Sequence, residues 1–364
     1  MKIGELCSYA PKSQIKAGEA IEGAKYMFFT SSADENKRYS DYQFDGEGII
    51  MGTGGNATLH YYSGKYSTST DCVVLLPNEK VRCKYLYYYL KANMNVLEAG
   101  FKGAGLKHTN KKYINDICID NIPDCGKQNK IIYILDKIQD IIDAKNKELK
   151  LLDDLIKARF VEMFGDPVAN EMGWNTLPLE NACKAIVDCP HSTPSYTKED
   201  TGFMCIRTSI VKKNRIIWDD IEYIPEDEFL KRIQRKKPDV GDIVYTREGA
   251  ILGIAAIIDR DCNVALGQRS MLLSPNTDKC TSEFLCVAMN RDSFLDNALK
   301  GVSGSASPHI NVGDIKAFRM IMPPIELQEQ FADFFHQVNK SKVVYMYILK
   351  TRKYLMYNGK YREK

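Results

Sequence analysis

No two cysteines of this chain stand in a CxxC spacing, although eleven occur in 364 residues. An odd count without such pairs argues against a disulfide framework and fits a reducing compartment. Cys183 with Cys189, and Cys280 with Cys286, are spaced too widely for a usual zinc knuckle, so no metal site is expected. No apolar run reaches 18 residues, and the opening MKIGELCSYA lacks a signal-peptide layout, so the chain reads as cytoplasmic and free of membrane. Net charge is small, +3 with 27% charged residues. That excludes a polycationic coat but not nucleic acid, because clustering of charge matters more than its sum.

Signatures of catalysis are missing as well. There is no GxxxxGK[ST] loop for an ATP-driven motor. FKGAG (Phe101 to Gly105) has the outline of an S-adenosylmethionine-binding glycine loop, but it follows a helical pattern instead of a strand. No Asn/Asp-Pro-Pro-aromatic motif accompanies it, since Pro323-Pro324 is flanked by Met322 and Ile325. Pro238-Asp239 with Glu248 lacks the lysine a metal nuclease would place two residues on. The chain reads as a binder without catalytic residues.

What is present is a long amphipathic helix near the middle, from about Gln128 to Met163. Apolar residues recur at Ile131, Leu135, Ile138, Ile142, Leu149, Leu152, Ile156 and Met163, a period near 3.5 that suits a helix lying along another helix. Roughly 36 residues make a rod about 54 Å long. From Gln328 to about Tyr357 the spacing returns as Phe331, Phe335, Val338, Lys342, Tyr345, Leu349, Arg352 and Met356, each 200 residues after its counterpart. The shared phase predicts a packed helix pair, as against two helices that each cover a separate core.

The repeat extends beyond the helices. GEGIIMGTGG (Gly46 to Gly55) aligns with VGDIVYTREG (Val240 to Gly249). YSTSTDCVVLLP, ending at Pro77, aligns with VALGQRSMLLSP, ending at Pro275. KKYINDICIDNIP, ending at Pro123, aligns with NVGDIKAFRMIMP, ending at Pro323. Two α+β half-units follow: a globular domain over 1–125 with a helix over 126–166, then a domain over 167–322 with a helix over 323–364. β-like runs are read at Gly48 to Met51, Asp71 to Leu76, Ile117 to Ile122, Phe203 to Ile206, Ile243 to Thr246, Ile254 to Ile258 and Ser270 to Leu273. Domain helices are read at Lys84 to Val96 and Ser282 to Leu299. Gly165-Asp166-Pro167 ends the first long helix.

Loops at matching places in both halves combine basic, amide and small polar residues. In the first half they carry Gly52, Thr53 and Asn56, then Lys65, then Lys102, Lys107, His108 and Asn110. In the second they carry Thr246 and Arg247, then Gln268 and Arg269, then Ser303, Ser305 and His309, with His191 and Ser192 in CPHSTP. Glycine lets backbone approach a phosphate, and amide, hydroxyl and guanidinium groups can donate to phosphates or base edges. Arg207 is either groove-facing or a buried carboxylate partner. KRIQRKK (Lys231 to Lys237) is either a phosphate comb or a solvated helix face.

These residues resemble the DNA specificity subunit of type I restriction–modification systems over nearly the whole chain. The resemblance rests on DCPHSTPSY, FMCIRTSI, GDIVYTREGAILGIAAII, NVALGQRSMLL and GSASPHINVGDIKAFRMIMPPIELQEQ in the second half. In the first it rests on GEGIIMGTGG and LDKIQDIIDAKNKELKLLDDLIKARFVEMFGDP. Cys189 stands where a glycine is common, and GAILGI lacks the lysine of a GTIGK-like turn. The resemblance implies two target recognition domains, each followed by a long helix, with the helices packed as an antiparallel coiled coil. It implies a bipartite double-stranded DNA site, docking of two methyltransferase subunits, and a motor–nuclease restriction subunit in the full complex. S-adenosylmethionine, ATP and Mg would belong to those partners, with no cofactor here. A silent or shuffling cassette copy, or a scaffold or RNA-binding module reusing the fold, is the other reading.

Overall fold

The computed structural model describes residues 1–249, 251–300 and 309–358, with side chains as far as Lys342. It divides into two compact units, Met1–Asn146 with Ile348–Lys364, and Lys147–Tyr347. The long helices run Cys125–Phe164 and Ile325–Asn358, so each contributes a segment to both units and neither stands apart as its own segment.

The first unit is built on a six-stranded sheet in the order Cys7–Tyr9, Cys72–Pro77, Phe44–Gly52, Leu59–Thr68, Tyr26–Phe29, Arg38–Tyr39. The second contains a four-stranded sheet in the order Ala255–Ile257, Ile243–Thr246, Ser270–Pro275, Cys183–Asp188. Read from its other edge, that is the order of the first unit's opening four strands, again all antiparallel. Both central strands are buried on both faces. Ile49 and Met51 face one core and Ile50 another; Ile243 and Tyr245 face one core and Val244 another. Double burial explains why IIM and IVY read as continuous apolar runs instead of alternating ones.

Three expected elements differ, the first being the helix read at Lys84 to Val96, which is Cys83–Ala92 followed by Met94–Glu98. Ile117 to Ile122 forms no strand; Cys118 makes only an isolated bridge to Lys2. The expected helix from Ser282 to Leu299 is Ser282–Met289 followed by Asp292–Leu299. Asn290 interrupts it because its buried amide serves the strand edge: Nδ2 donates to the Ala255 carbonyl (2.8 Å) and Oδ1 accepts from the Ala255 amide (2.9 Å). The strand Leu59–Thr68 was not expected, since its SGK interruption hides the pattern.

Within the second unit the long helices pack antiparallel. Phe160 meets Phe331 with ring centroids 5.5 Å apart, Arg159 lies over the Phe334 ring, and Lys342 Nζ reaches Asp153 Oδ1 at 2.6 Å. Partners thus rise along one helix as they fall along the other. Phe331, Phe335 and Val338 are buried as expected, but on the central helix the buried row is Ile156, Phe160 and Phe164. Arg159 and Met163 are only half-buried, and Leu149 and Leu152 likewise. The row shifts by one residue because this segment must also meet Phe284 of the domain core, at 5.5 Å from Phe160 and 4.9 Å from Phe164. In the first unit Leu135, Ile138 and Ile142 are half-buried, whereas Ile131 is 36% exposed. The side chains of Tyr345 and Leu349 lie outside the described residues.

Each long helix is joined to its domain by the same buried glutamine. Gln128 Nε2 donates to the Lys80 and Pro123 carbonyls, and its Oε1 accepts from the Arg82 amide. Gln328 Nε2 donates to the Lys279 and Pro323 carbonyls, and its Oε1 accepts from the Thr281 amide. Arg82 and Thr281 precede the helices Cys83–Ala92 and Ser282–Met289, so the two glutamines satisfy equivalent helix-start amides.

Candidate nucleic-acid interface

In the first unit the loops predicted from sequence are woven together by backbone hydrogen bonds. Strand pairing ends at Gly52 with Cys72. The Thr53 amide then donates to the Asp71 carbonyl (2.8 Å), the Thr109 amide to the Thr53 carbonyl (3.0 Å), and the Gly55 amide to the Lys107 carbonyl (2.8 Å). Lys102 and His108 exchange two further bonds at 3.0 Å. Only glycine fits at 52, because a Cβ there would stand 2.8 Å from the Ser31 Cα. The result presents Asn56, Lys102, Lys107 and His108 as exposed side chains around one loop pair. Asn110 belongs to the same cluster, but its Oδ1 accepts from the Tyr113 amide and caps the helix Lys111–Asp116. Lys65 does not join it. It pairs in the ladder with Asp45, seven residues from Gly52 and so about 24 Å along the strand, with its ammonium over the Tyr42 ring.

The second unit repeats the framework. Pairing ends at Thr246 with Ser270. The Arg247 amide donates to the Arg269 carbonyl (3.0 Å), the Ile310 amide to the Arg247 carbonyl (2.9 Å), and Glu248 bridges His309. Gln268 is held by Thr193 (3.1 Å), and exposed His191 lies 3.2 Å from Asp188. Arg269 and His309 are exposed.

Several expected contact residues are instead spent inside the protein. Arg247 is 5% exposed, with Asp188 bidentate at 3.0 and 3.3 Å and Glu248 at 2.9 Å. A buried guanidinium must be paired with carboxylates, so it is a strut and not an outward reader. Thr246 is buried, its hydroxyl engaged with both the amide and the carbonyl of Ile254. Ser192 is fixed through its carbonyl and hydroxyl by Arg232. Arg207 is exposed and so not the buried carboxylate partner, although it pairs with Glu222 and stacks over Tyr196. The hydrogen bond to Glu222 pushes its pKa up. Much of the run Lys231 to Lys237 is engaged within the protein. Lys231 pairs with Asp227, buried Arg232 with Glu228, Lys236 with Asp239 and Asp242, and Lys237 reaches Asn263. Ser303 and Ser305 lie outside the described residues.

Sequence reasoning missed the roles of Asp188, Arg232 and Asp71, with Arg232 read only as part of the basic run Lys231 to Lys237. The first two bind partners 59 and 40 residues away, which no local pattern shows. Asp71 was visible in the repeat, where it aligns with Arg269. Among the described residues no group of three or more His, Cys, Asp or Glu could hold a metal ion, and no helix is long and apolar enough to cross a membrane.

Two α+β units with one loop framework, joined to antiparallel long helices, define a tandem DNA-recognition protein. The chain belongs to the type I restriction modification DNA specificity domain family, which it matches over residues 1–153 and 173–344. It is 25% identical over 304 residues to the type I restriction enzyme MjaVIII specificity subunit of Methanocaldococcus jannaschii, covering 78% of this chain and 70% of that one. It is 22% identical over 374 residues to the Escherichia coli EcoDI specificity subunit, covering 91% and 78%. The fold is that of the type I restriction–modification S subunit from M. genitalium, with a TM-score of 0.58 at 14% identity over 98% of this chain and 94% of that one.

Proposed function

We propose that each unit reads one half of a bipartite double-stranded DNA site through its woven loop cluster. The observation that carries this reading is the framework built twice with different side chains on it. The amide of the residue after the central strand, Thr53 or Arg247, donates to the first carbonyl of the facing turn, and its own carbonyl receives the loop of Thr109 or Ile310. A shared backbone fixes the approach to the duplex, while unlike side chains give unlike readings. Lys102 and Lys107 supply phosphate contacts in the first unit; His191, Gln268, Arg269 and His309 face the second half-site.

The chain performs no chemistry itself. The long helices set the spacer between half-sites and carry two methyltransferase subunits, with motor–nuclease subunits completing the restriction complex. S-adenosylmethionine, ATP and Mg act on those partners, in the cytoplasm. Mapping methylated adenines in the host with and without this gene tests the reading. A split motif should vanish with the gene; an unchanged methylome would overturn it.

A further inference from the structure

The strand registers place Asp71 and Arg269 at one equivalent position. Gly52 pairs with Cys72 in the first unit and Thr246 with Ser270 in the second, and the preceding residue of each turn is Asp71 or Arg269. Its carbonyl is used identically, accepting from Thr53 or from Arg247. Its side chain is exposed in both units, and among the described residues neither has a hydrogen-bond or ion-pair partner. The charges are opposite.

The turn that carries Arg269 is pinned on both sides. The Gly267 amide donates to the Ile206 carbonyl (2.8 Å), the Cys189 amide to the Ser270 carbonyl (3.3 Å), and the Ser270 amide to the buried Cys189 sulfur (3.4 Å). Arg269 itself sits at φ 70°, a left-handed conformation that a side chain rarely adopts. Such strain persists only where surrounding structure enforces it, and it is common at contact sites. The guanidinium lies beside Gly249, where a Cβ would come into ordinary contact with Nη1 at 3.4 Å. A rigid backbone thus holds an unpaired guanidinium outward.

We propose that this position reads a base in each half-site, with opposite hydrogen-bond polarity. Arg269 donates to the O6 and N7 acceptors of a guanine. Asp71, which as a carboxylate can only accept, takes the amino group of a cytosine or adenine. The two half-sites therefore differ at this position. The proposal rests on the half-site reading above and makes it specific.

The test maps methylation in a host carrying the wild-type chain with its methyltransferase subunits, beside Arg269→Ala, Arg269→Gly and Asp71→Ala. Glycine suits the left-handed backbone, so Arg269→Gly keeps the turn even if alanine strains it. In the wild type, one position of one half should be guanine. Both Arg269 variants should relax it, with roughly 10- to 100-fold less preference for guanine and an unchanged other half. Asp71→Ala, which removes the acceptor, should relax the other half alone. Should a variant abolish methylation, binding of its complex to duplexes with each of the four base pairs at that position gives the same readout. An unchanged motif, or binding weakened equally for every sequence, would show a phosphate contact or none and overturn the proposal. A wild-type complex that methylates no split motif would overturn the half-site reading itself.

Discussion

Lys342 is buried between the helices of the second unit with its ammonium on Asp153. Burial pushes its pKa down from the ordinary 10.5, and the Asp153 hydrogen bond opposes that only in part. A lowered lysine pKa means that the unfolded chain holds the proton more tightly, so this group adds stability as pH rises toward 10.5. In urea unfolding at pH 7 and pH 10, the difference between wild type and Lys342→Met should move in favour of wild type at the higher pH. A flat difference would mean that the ammonium is not desolvated. Buried thiols act in the other direction. Burial pushes Cys183 and Cys205 from 9.0 up to about 12. Their contribution is full below about pH 9 and is lost as pH rises toward about 12, so Cys205→Ala should flatten the alkaline loss of thermal stability. At the surface, Lys102→Ala with Lys107→Ala should weaken DNA binding by the assembled complex for all sequences alike. The slope of log affinity against log salt should fall by about 2; a changed motif would refute a phosphate role. Residue roles were the least legible part of the sequence. A polar residue in a loop could be seen, but not that Asp188 and Glu248 would occupy Arg247, or that Thr246 would be used up by Ile254.

At the scale of elements, the junction of each long helix with its domain decides whether a unit holds together. Phe160, Phe164, Phe284 and Phe331 form one aromatic cluster with centroids 4.9–5.6 Å apart. Phe160→Ala should cost about 3–5 kcal/mol in chemical denaturation. A loss under about 1 kcal/mol would show that helix and core are not coupled there. Gln328→Leu leaves the Thr281 amide and two carbonyls without their partner, and should cost about 1–3 kcal/mol. The long helices were readable because their apolar spacing is strong over many turns. The exact buried row was not: the spacing pointed to Arg159 and Met163, while contact with Phe284 selects Phe160 and Phe164. The break at Asn290 was equally hidden, because its cause is the edge of a strand 35 residues earlier.

For the whole molecule, the repeat carried the most information. Offsets of 194 and 198 between aligned segments match the register of the central strands, Gly52 on Thr246 and Cys72 on Ser270. Two sheets of one strand order were therefore implicit in the alignment, although the parallel pairing of Tyr26–Phe29 with Leu59–Thr68 was not. If the helices set the spacer, insertion of a turn into both should lengthen it and leave the recognised bases unchanged. The central claim is that each unit reads its own half-site. The most direct measurement is the methylome of a host carrying a chimera in which residues 1–125 come from a related specificity subunit of different target. The account predicts that one half of the motif changes to the donor's sequence while the other half is retained. A motif changed in both halves, or in neither, would contradict it.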